Sequence, residues 1–201
     1  MLRRRGDLGP RKGTAADLLV VGLGNPGDEY AHTRHNVGAD TVELLAKRHG
    51  ATLMKGKERA RADHVRIGGK LVALAVPLTY MNDSGAAVVA LARRYGVEPE
   101  HVVIVHDELD LPVAALKLKA GGGLAGHNGL KSVKNHLHSD EFLRVRIGVG
   151  KPVSKEHGVD HVLKKFSKRE RTEIDVTIEH AADAVELIVT DGIEPAMNRY
   201  N

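Results

Sequence analysis

The sequence predicts an α/β fold: a single three-layer domain with a mixed, mostly parallel twisted sheet flanked by helices. Three observations predict it. Short runs rich in β-branched residues alternate with stretches of helical period through the first half, the pattern of a sheet covered on its faces. The 201 residues, 42% of them hydrophobic, suffice for one substantial core. No apolar run approaches the ~20 residues that a membrane-crossing helix needs.

Residues 1–17 carry charges and glycines with no apolar period, which predicts a disordered basic tail ahead of a domain spanning 18–201. The tail is basic like a targeting peptide but leads only into a brief apolar strand and Asn25-Pro26, without a secretory apolar region. The absence of cysteine removes disulfides, thiolate nucleophiles and cysteine-ligated zinc, and a cytoplasmic protein is expected. Strands are predicted at Leu18–Gly22, His64–Gly68, Leu71–Val76, Val102–His106, Ala115–Lys119 and Arg144–Val149, each bounded by glycine, proline or charge. Helices are predicted at Val37–Arg48, with Val42, Leu45 and Ala46 inward, and at Ser84–Tyr95, stopped by Gly96. A third should open near Asn128. A fourth runs from Lys168 to about Thr190 with Ile174, Ile178, Ala181, Val185 and Ile188 on one face.

Charge is unevenly placed. Arg3, Arg4, Arg5, Arg11 and Lys12 against Asp7 supply the whole net charge of +4, so the rest of the chain is balanced. Within it, Val113 to Lys155 holds eight Lys and Arg, Lys117, Lys119, Lys131, Lys134, Arg144 and Arg146 among them, against Asp140 and Glu141. That segment is a candidate phosphate-binding face. Glu170 to Glu194 is acidic and is expected to face solvent, away from any RNA.

Gly22, Gly24 and Gly27 spell G-x-G-x-x-G after an apolar run, the opening of a dinucleotide-binding turn. In such a turn the helix begins inside the motif, and an acidic residue follows the next strand. Here "DEYAHTRHN" is polar throughout, helical period starts only after Asn36, and the next strand ends at Gly68-Gly69 without a carboxylate. No dinucleotide is expected. The stretch instead gathers Asn25, Tyr30, Arg34, His35 and Asn36 on a strand-to-helix connection, where α/β sheets place their sites.

Three more loops carry related groups. "PLTYMNDSG" puts Asn82 just before a helix, where Asn82 or Asp83 also suits an N-cap, and leaves Tyr80-Met81 exposed. "VIVHDELDLP" ends the most apolar strand in His106, Asp107, Glu108 and Asp110; such carboxylates bind a metal, orient a histidine, or are solvated. "LKAGGGLAGHNGLKSV" surrounds His127-Asn128 with glycines. Asn25, Asn82 and Asn128 are three of seven asparagines, each at a predicted strand end, which points to converging carboxamides. Carboxamides both donate and accept, and so grip a peptide backbone or polarise a carbonyl without adding charge.

Together "GLGNPGDEYAHTRHNVG", "TYMNDSG", "HDELDLP", "GGGLAGHNGLKS" and "FLRVRIGVGKP", in order from about Leu18 onward, resemble the bacterial peptidyl-tRNA hydrolase family. The resemblance implies hydrolysis of the ester joining a peptide, or N-blocked amino acid, to the terminal ribose of tRNA, with no cofactor and no metal. It implies His35 as the base that activates water, Asp107 as its partner, and Asn25 and Asn82 beside the scissile ester. Asn128 would orient water or support the oxyanion; the choice between Asn128 and Asn25 as donor stays open. Tyr30 would lie by the ester or terminal adenosine. Tyr80, Met81 and His127 would contact substrate, with Met81 lining the peptide groove. Lys119 and Arg146 match the family's contacts to phosphates of the tRNA acceptor arm. Leu124-Ala125 departs from the family's glycine loop, which carries histidine or glycine there and gates the cleft.

The residues themselves fit this chemistry. Ester hydrolysis needs a base of near-neutral pKa, and histidine supplies it. Ser84 sits in N-D-S-G rather than a nucleophile elbow, and His106 and Asp107, being successive on a strand, face opposite ways and do not readily share an ion. With six aromatic residues and no aromatic run, recognition of tRNA is expected through backbone and shape. A lightly aromatic surface suits a monomer. Segment 152–166 is either a mobile lid over the cleft or a surface helix. The competing readings are a non-catalytic RNA-binding protein, a nicotinamide oxidoreductase and a metal-dependent hydrolase.

Overall fold

A computed structural model describes residues 13–201. Its elements are β1 (Leu18–Gly22), α1 (Val37–Arg48), β2 (Met54–Lys55), β3 (Ala60–Ile67), β4 (Lys70–Pro77), α2 (Ser84–Tyr95), β5 (Val102–Glu108), β6 (Leu116–Ala120), α3 (Asn128–Leu137), β7 (Leu143–Gly148), α4 (Gly158–Leu163), α5 (Lys168–Asp191) and α6 (Ile193–Tyr200). The expected tail lies largely outside the described residues. Its last residues do not: Ala16 N–H donates to Tyr95 O, and the Asp17 carboxylate accepts from Leu71 N–H, so attachment to the sheet begins before residue 18.

Among the described residues one sheet of seven strands runs β2-β3-β4-β1-β5-β7-β6. The four central strands β4, β1, β5 and β7 are parallel, β3 and β6 pair antiparallel at either flank, and β2 turns back, so five of the seven strands share one direction. Residue alternation sends Val20, Leu74, Val103, Val105 and Val145 to the face covered by α1, α5 and α6. Leu19, Val21, Ala73, Ile104 and Phe142 belong to the opposite core, filled by α2 and α3. Ile104 is fully buried in the central strand, where truncation to alanine would cost about 2–5 kcal/mol.

The helices end as their sequences dictate. Gly96 takes φ +64° and closes α2, and Ser167 with Glu170 forms a reciprocal capping box at the start of α5. β3 begins at Ala60 rather than His64, because its antiparallel register with β4 continues to the pair Ala60↔Pro77 through half-polar residues of a flanking strand. Segment 152–166 contains the short helix α4. The predicted helices do not include α6, eight residues long, which packs on β6 and leaves Asn201 bonded both ways to the backbone of Leu118.

Direction matters for the site. β1, β4 and β5 all end at one edge of the sheet, so the loops after β1 and β4 and the end of β5 meet there. β6 runs the other way, with Ala120 paired to Leu143 at the start of β7. The expectation that Asn128 lies at the end of its preceding strand is therefore corrected: the glycine loop crosses back along the sheet, and Asn128 opens α3 beside the end of β5.

Candidate active site

The glycines after β1 serve close packing. A Cβ on Gly38 would sit 2.0 Å from Val105 O, and one on Gly22 would sit 2.2 Å from Gly38 O, so α1 lies flat against β1 and β5 only because both lack side chains. Gly24 makes room for the Asn36 carboxamide, whose Cγ would be 2.9 Å from an added Cβ. α1 opens at Val37, after two 3-10 turns, Asp28–Tyr30 and Arg34–Asn36, and not inside the glycine motif. That packing delivers the turn bearing His35 to the end of β5.

There Asp107, 2% exposed, accepts from two imidazoles. His35 Nδ1 lies 3.0 and 2.9 Å from its two oxygens, and His127 Nε2 lies 2.8 Å from Oδ1. Burial works against the ionised carboxylate, but His35 and His127 outweigh it and hold Asp107 well below the usual carboxylate range. Burial likewise lowers the His35 pKa, but the Asp107 charge and hydrogen bond reverse this and raise it above 6.5. With Nδ1–H pointing at Asp107, neutral His35 keeps Nε2 as an acceptor, and the residue lines an open cleft of about 390 Å³.

His127 is fixed on both sides. Its Nδ1 accepts from Gly129 and Leu130 N–H, which makes it the N-cap of α3 and leaves the ring proton on Nε2, directed at Asp107. With both nitrogens engaged inside the protein, His127 holds Asp107 and α3 in register rather than offering a free hydrogen-bonding group to substrate. His35, Asp107 and His127 are also the one trio among the described residues with spacing suited to a cation. The hydrogen bonds account for that spacing, and His127 would have to surrender the proton that its capping role fixes. His106 lies outside the trio: wholly buried, it donates from Nδ1 to the Asp107 carbonyl at 2.7 Å and meets the His127 ring edge-on. Burial above all pushes its pKa well down, so it packs as a neutral ring.

The three asparagines line the same cleft. Asn25 Oδ1 accepts from Met81 N–H at 2.7 Å, which sets the orientation of the amide and turns Nδ2 away from that bond. Asn36 clasps the Asn25 backbone from both sides, accepting from its N–H and donating to its carbonyl. Asn82 and Asn128 are exposed at the cleft wall. The expectation that Tyr80 and Met81 are both exposed is half right: Tyr80 is 61% exposed, whereas Met81 is 4% exposed and receives the Ser84 hydroxyl on its carbonyl. Tyr30 sits edge-on to Tyr80 with ring centroids 6.4 Å apart, at the rim beyond the cleft lining.

The basic segment divides. The antiparallel register pairs Lys117 with Arg146 and Lys119 with Arg144, which places all four cations on one face at the sheet edge. Arg144 is corrected from a solvent-facing contact to a buried brace, 1% exposed, with Nη2 donating to Gly121 O. Lys134 is paired with Asp140 at 2.7 Å. Lys119 remains accessible, its ammonium pKa lowered by partial desolvation and then by Arg144 and Arg146. Arg146 has Glu108 3.9 Å away. Three residues beside the site, Arg34, Asn36 and His106, belong to the polar clusters that the sequence singles out but receive no role from it; the partners of Arg34 and Asn36 lie too far along the chain to be read there.

Comparison places this geometry. Residues 19–201 match the family profile described as peptidyl-tRNA hydrolase. The chain is similar to the peptidyl-tRNA hydrolase of Mycolicibacterium gilvum, 50% identical over 92% of this chain and 96% of that protein, and to that of Frankia alni, 48% identical over 91% and 93%. A crystal structure of the Acinetobacter baumannii peptidyl-tRNA hydrolase superposes with a TM-score of 0.88 at 43% identity, covering 96% of this chain and 97% of that one. No helix of the described residues is long and apolar enough to cross a membrane. This chain therefore belongs to the peptidyl-tRNA hydrolase family.

Proposed function

We propose that this chain hydrolyses the ester between the peptide, or N-blocked amino acid, and the terminal ribose of peptidyl-tRNA, with His35 activating the attacking water. The observation that carries this is the His35–Asp107 pair at 2.9 Å, set in a cleft lined by three carboxamides. The names of the relatives supply the substrate. Nε2 of His35 takes a proton from water as the oxygen attacks the ester carbonyl. Asp107 keeps Nδ1 protonated and stabilises the imidazolium that forms. The carbonyl oxygen gains charge and receives hydrogen bonds from carboxamide N–H, Asn25 Nδ2 or Asn128 being the donor, and the ribose oxygen leaves with the proton returned by His35.

The tRNA acceptor arm is held through its phosphates by Lys119 and Arg146. Like charges facing one another across β6 and β7 are unfavourable until an anion joins them, which supports an anionic partner on that edge. The reading includes a cytoplasmic monomer that uses no cofactor. It is tested by hydrolysis of N-acetyl-aminoacyl-tRNA against unblocked aminoacyl-tRNA, with chelator present, for wild type and His35→Ala. Cleavage of the blocked ester alone, lost in the variant, is expected. Binding of tRNA by both proteins without cleavage by either would replace the enzyme with an RNA-binding protein, and loss of wild-type activity to the chelator would replace the base with a metal.

A further inference from the structure

Arg34 precedes His35 in the same 3-10 turn, yet its side chain leaves the cleft and is nearly buried at the junction of α4 and α5. One guanidinium nitrogen, Nη1, donates to the carbonyls of Lys165 at 2.8 Å and Lys164 at 3.3 Å. The other, Nη2, makes a forked bond to the Glu170 carboxylate at 2.9 and 3.2 Å. Phe166 lies under the guanidinium, with its ring centroid 4.9 Å from Cζ. The backbone repeats the link: Arg34 N–H donates to Lys164 O at 3.0 Å, and Thr33 bridges Lys165.

α4 itself packs on the turn Arg34–Asn36 and presents Val159, Val162 and Leu163 to the cleft, across from the asparagines. Val159 is largely exposed there. One side chain thus ties the wall that substrate would touch to the turn that carries the base. A lysine could neither bond two carbonyls in a plane nor fork onto a carboxylate at once.

We propose that Arg34 is a positioning residue that makes α4 and the His35 turn one mechanical unit, so that contact of substrate with α4 bears directly on the placement of the base. This rests on the hydrolase reading of the site. Two substitutions test it. Glu170→Gln removes the charge facing Arg34 but keeps an oxygen for the Ser167 N–H that caps α5. Arg34→Lys keeps the charge and loses the fork.

Hydrogen exchange and turnover of N-acetyl-aminoacyl-tRNA are measured on both. Loss of charge-assisted bonds is expected to speed exchange about tenfold or more in both 155–166 and 33–37, while β1 and β5 stay protected. kcat should fall more than KM rises in both, Arg34→Lys included although it keeps the charge. Faster exchange in 155–166 alone, with 33–37 and kcat as in wild type, would overturn the coupling. Faster exchange spread equally over β1 and β5 would also overturn it, by reducing Arg34 to a prop of the whole fold. Failure of wild type to cleave the ester would sink the hydrolase reading instead, and the exchange pattern would still decide whether the two segments move together.

Discussion

Two polar regions of this molecule are built on opposite plans. Around Asp107, three histidines and a helix cap leave the carboxylate partnered by two ring N–H groups and its own carbonyl by a third. At the edge formed by β6 and β7, four cations share one face, with Glu108 3.9 Å from Arg146. The first region satisfies its polar groups within the protein, and the second leaves like charges facing one another. On the hydrolase reading proposed above, the contrast assigns chemistry to groups of fixed tautomer and orientation and affinity for phosphates to under-compensated charge.

That contrast breaks most visibly if turnover and binding fail to separate. His35→Ala should lower kcat by about 10²–10⁴-fold, the usual contribution of a positioned general base, while tRNA binding measured by filter retention holds. Asp107→Asn should come next. It also supplies a pH test. Because Asp107 raises the His35 pKa above 6.5 against the opposing effect of burial, kcat/KM of wild type should climb with pH through a limb above that value. Without the carboxylate, burial is left to dominate, and the residual limb should move to lower pH. A limb that does not move would dissociate His35 from the rate.

Smaller but still large, Asn25→Ala should cost about 3 kcal/mol of transition-state stabilisation if its Nδ2 is the oxyanion donor, a hundredfold or more in kcat. The same change at Asn128 decides between the two, since the true donor loses kcat and the other loses mainly KM. Lys119→Ala and Arg146→Ala should instead weaken binding with kcat intact, each flattening the slope of log affinity against log salt by about one contact. A cation whose removal alters kcat at saturating substrate would belong to the first region, contrary to its place in the sheet.

Much of this was legible in the sequence, and the misses have causes. Strong period fixed α1 and α2 to the residue, and Leu18–Gly22 is bounded by its own apolar run. The loops of Asn25 and Asn82 converge because α/β sheets gather strand ends at one edge, whereas Asn128 arrives there only because the glycine loop crosses back from the far end of β6. What sequence did not carry was the direction of β6, since nothing in "LKLKA" distinguishes a strand that runs with its neighbour from one that runs against it. Nor did it show burial of Arg144 or Met81, each hydrophilic or loop-borne by type but enclosed by partners far along the chain. The family resemblance implies a substrate contact at His127, but the sequence does not show that its ring bonds two amides ahead and a carboxylate twenty residues behind, engagements set by tertiary structure.

The finest test of the contrast lies at the last residue. Asn201 accepts from Leu118 N–H at 2.7 Å and returns a hydrogen bond to Leu118 O at 2.9 Å, pairing the outer side of β6 as a further strand would. β6 carries Lys117 and Lys119 but contributes nothing to the Asp107 centre. Asn201→Ala should therefore cost only about 1 kcal/mol of stability, in line with hydrogen bonds that water partly replaces. Its exchange signature should be confined to residues 116–120, and tRNA affinity should fall slightly while kcat at saturation stays at the wild-type value. A drop in kcat would mean that the two regions communicate through the sheet, and the division drawn between satisfied and under-compensated regions would no longer describe the molecule.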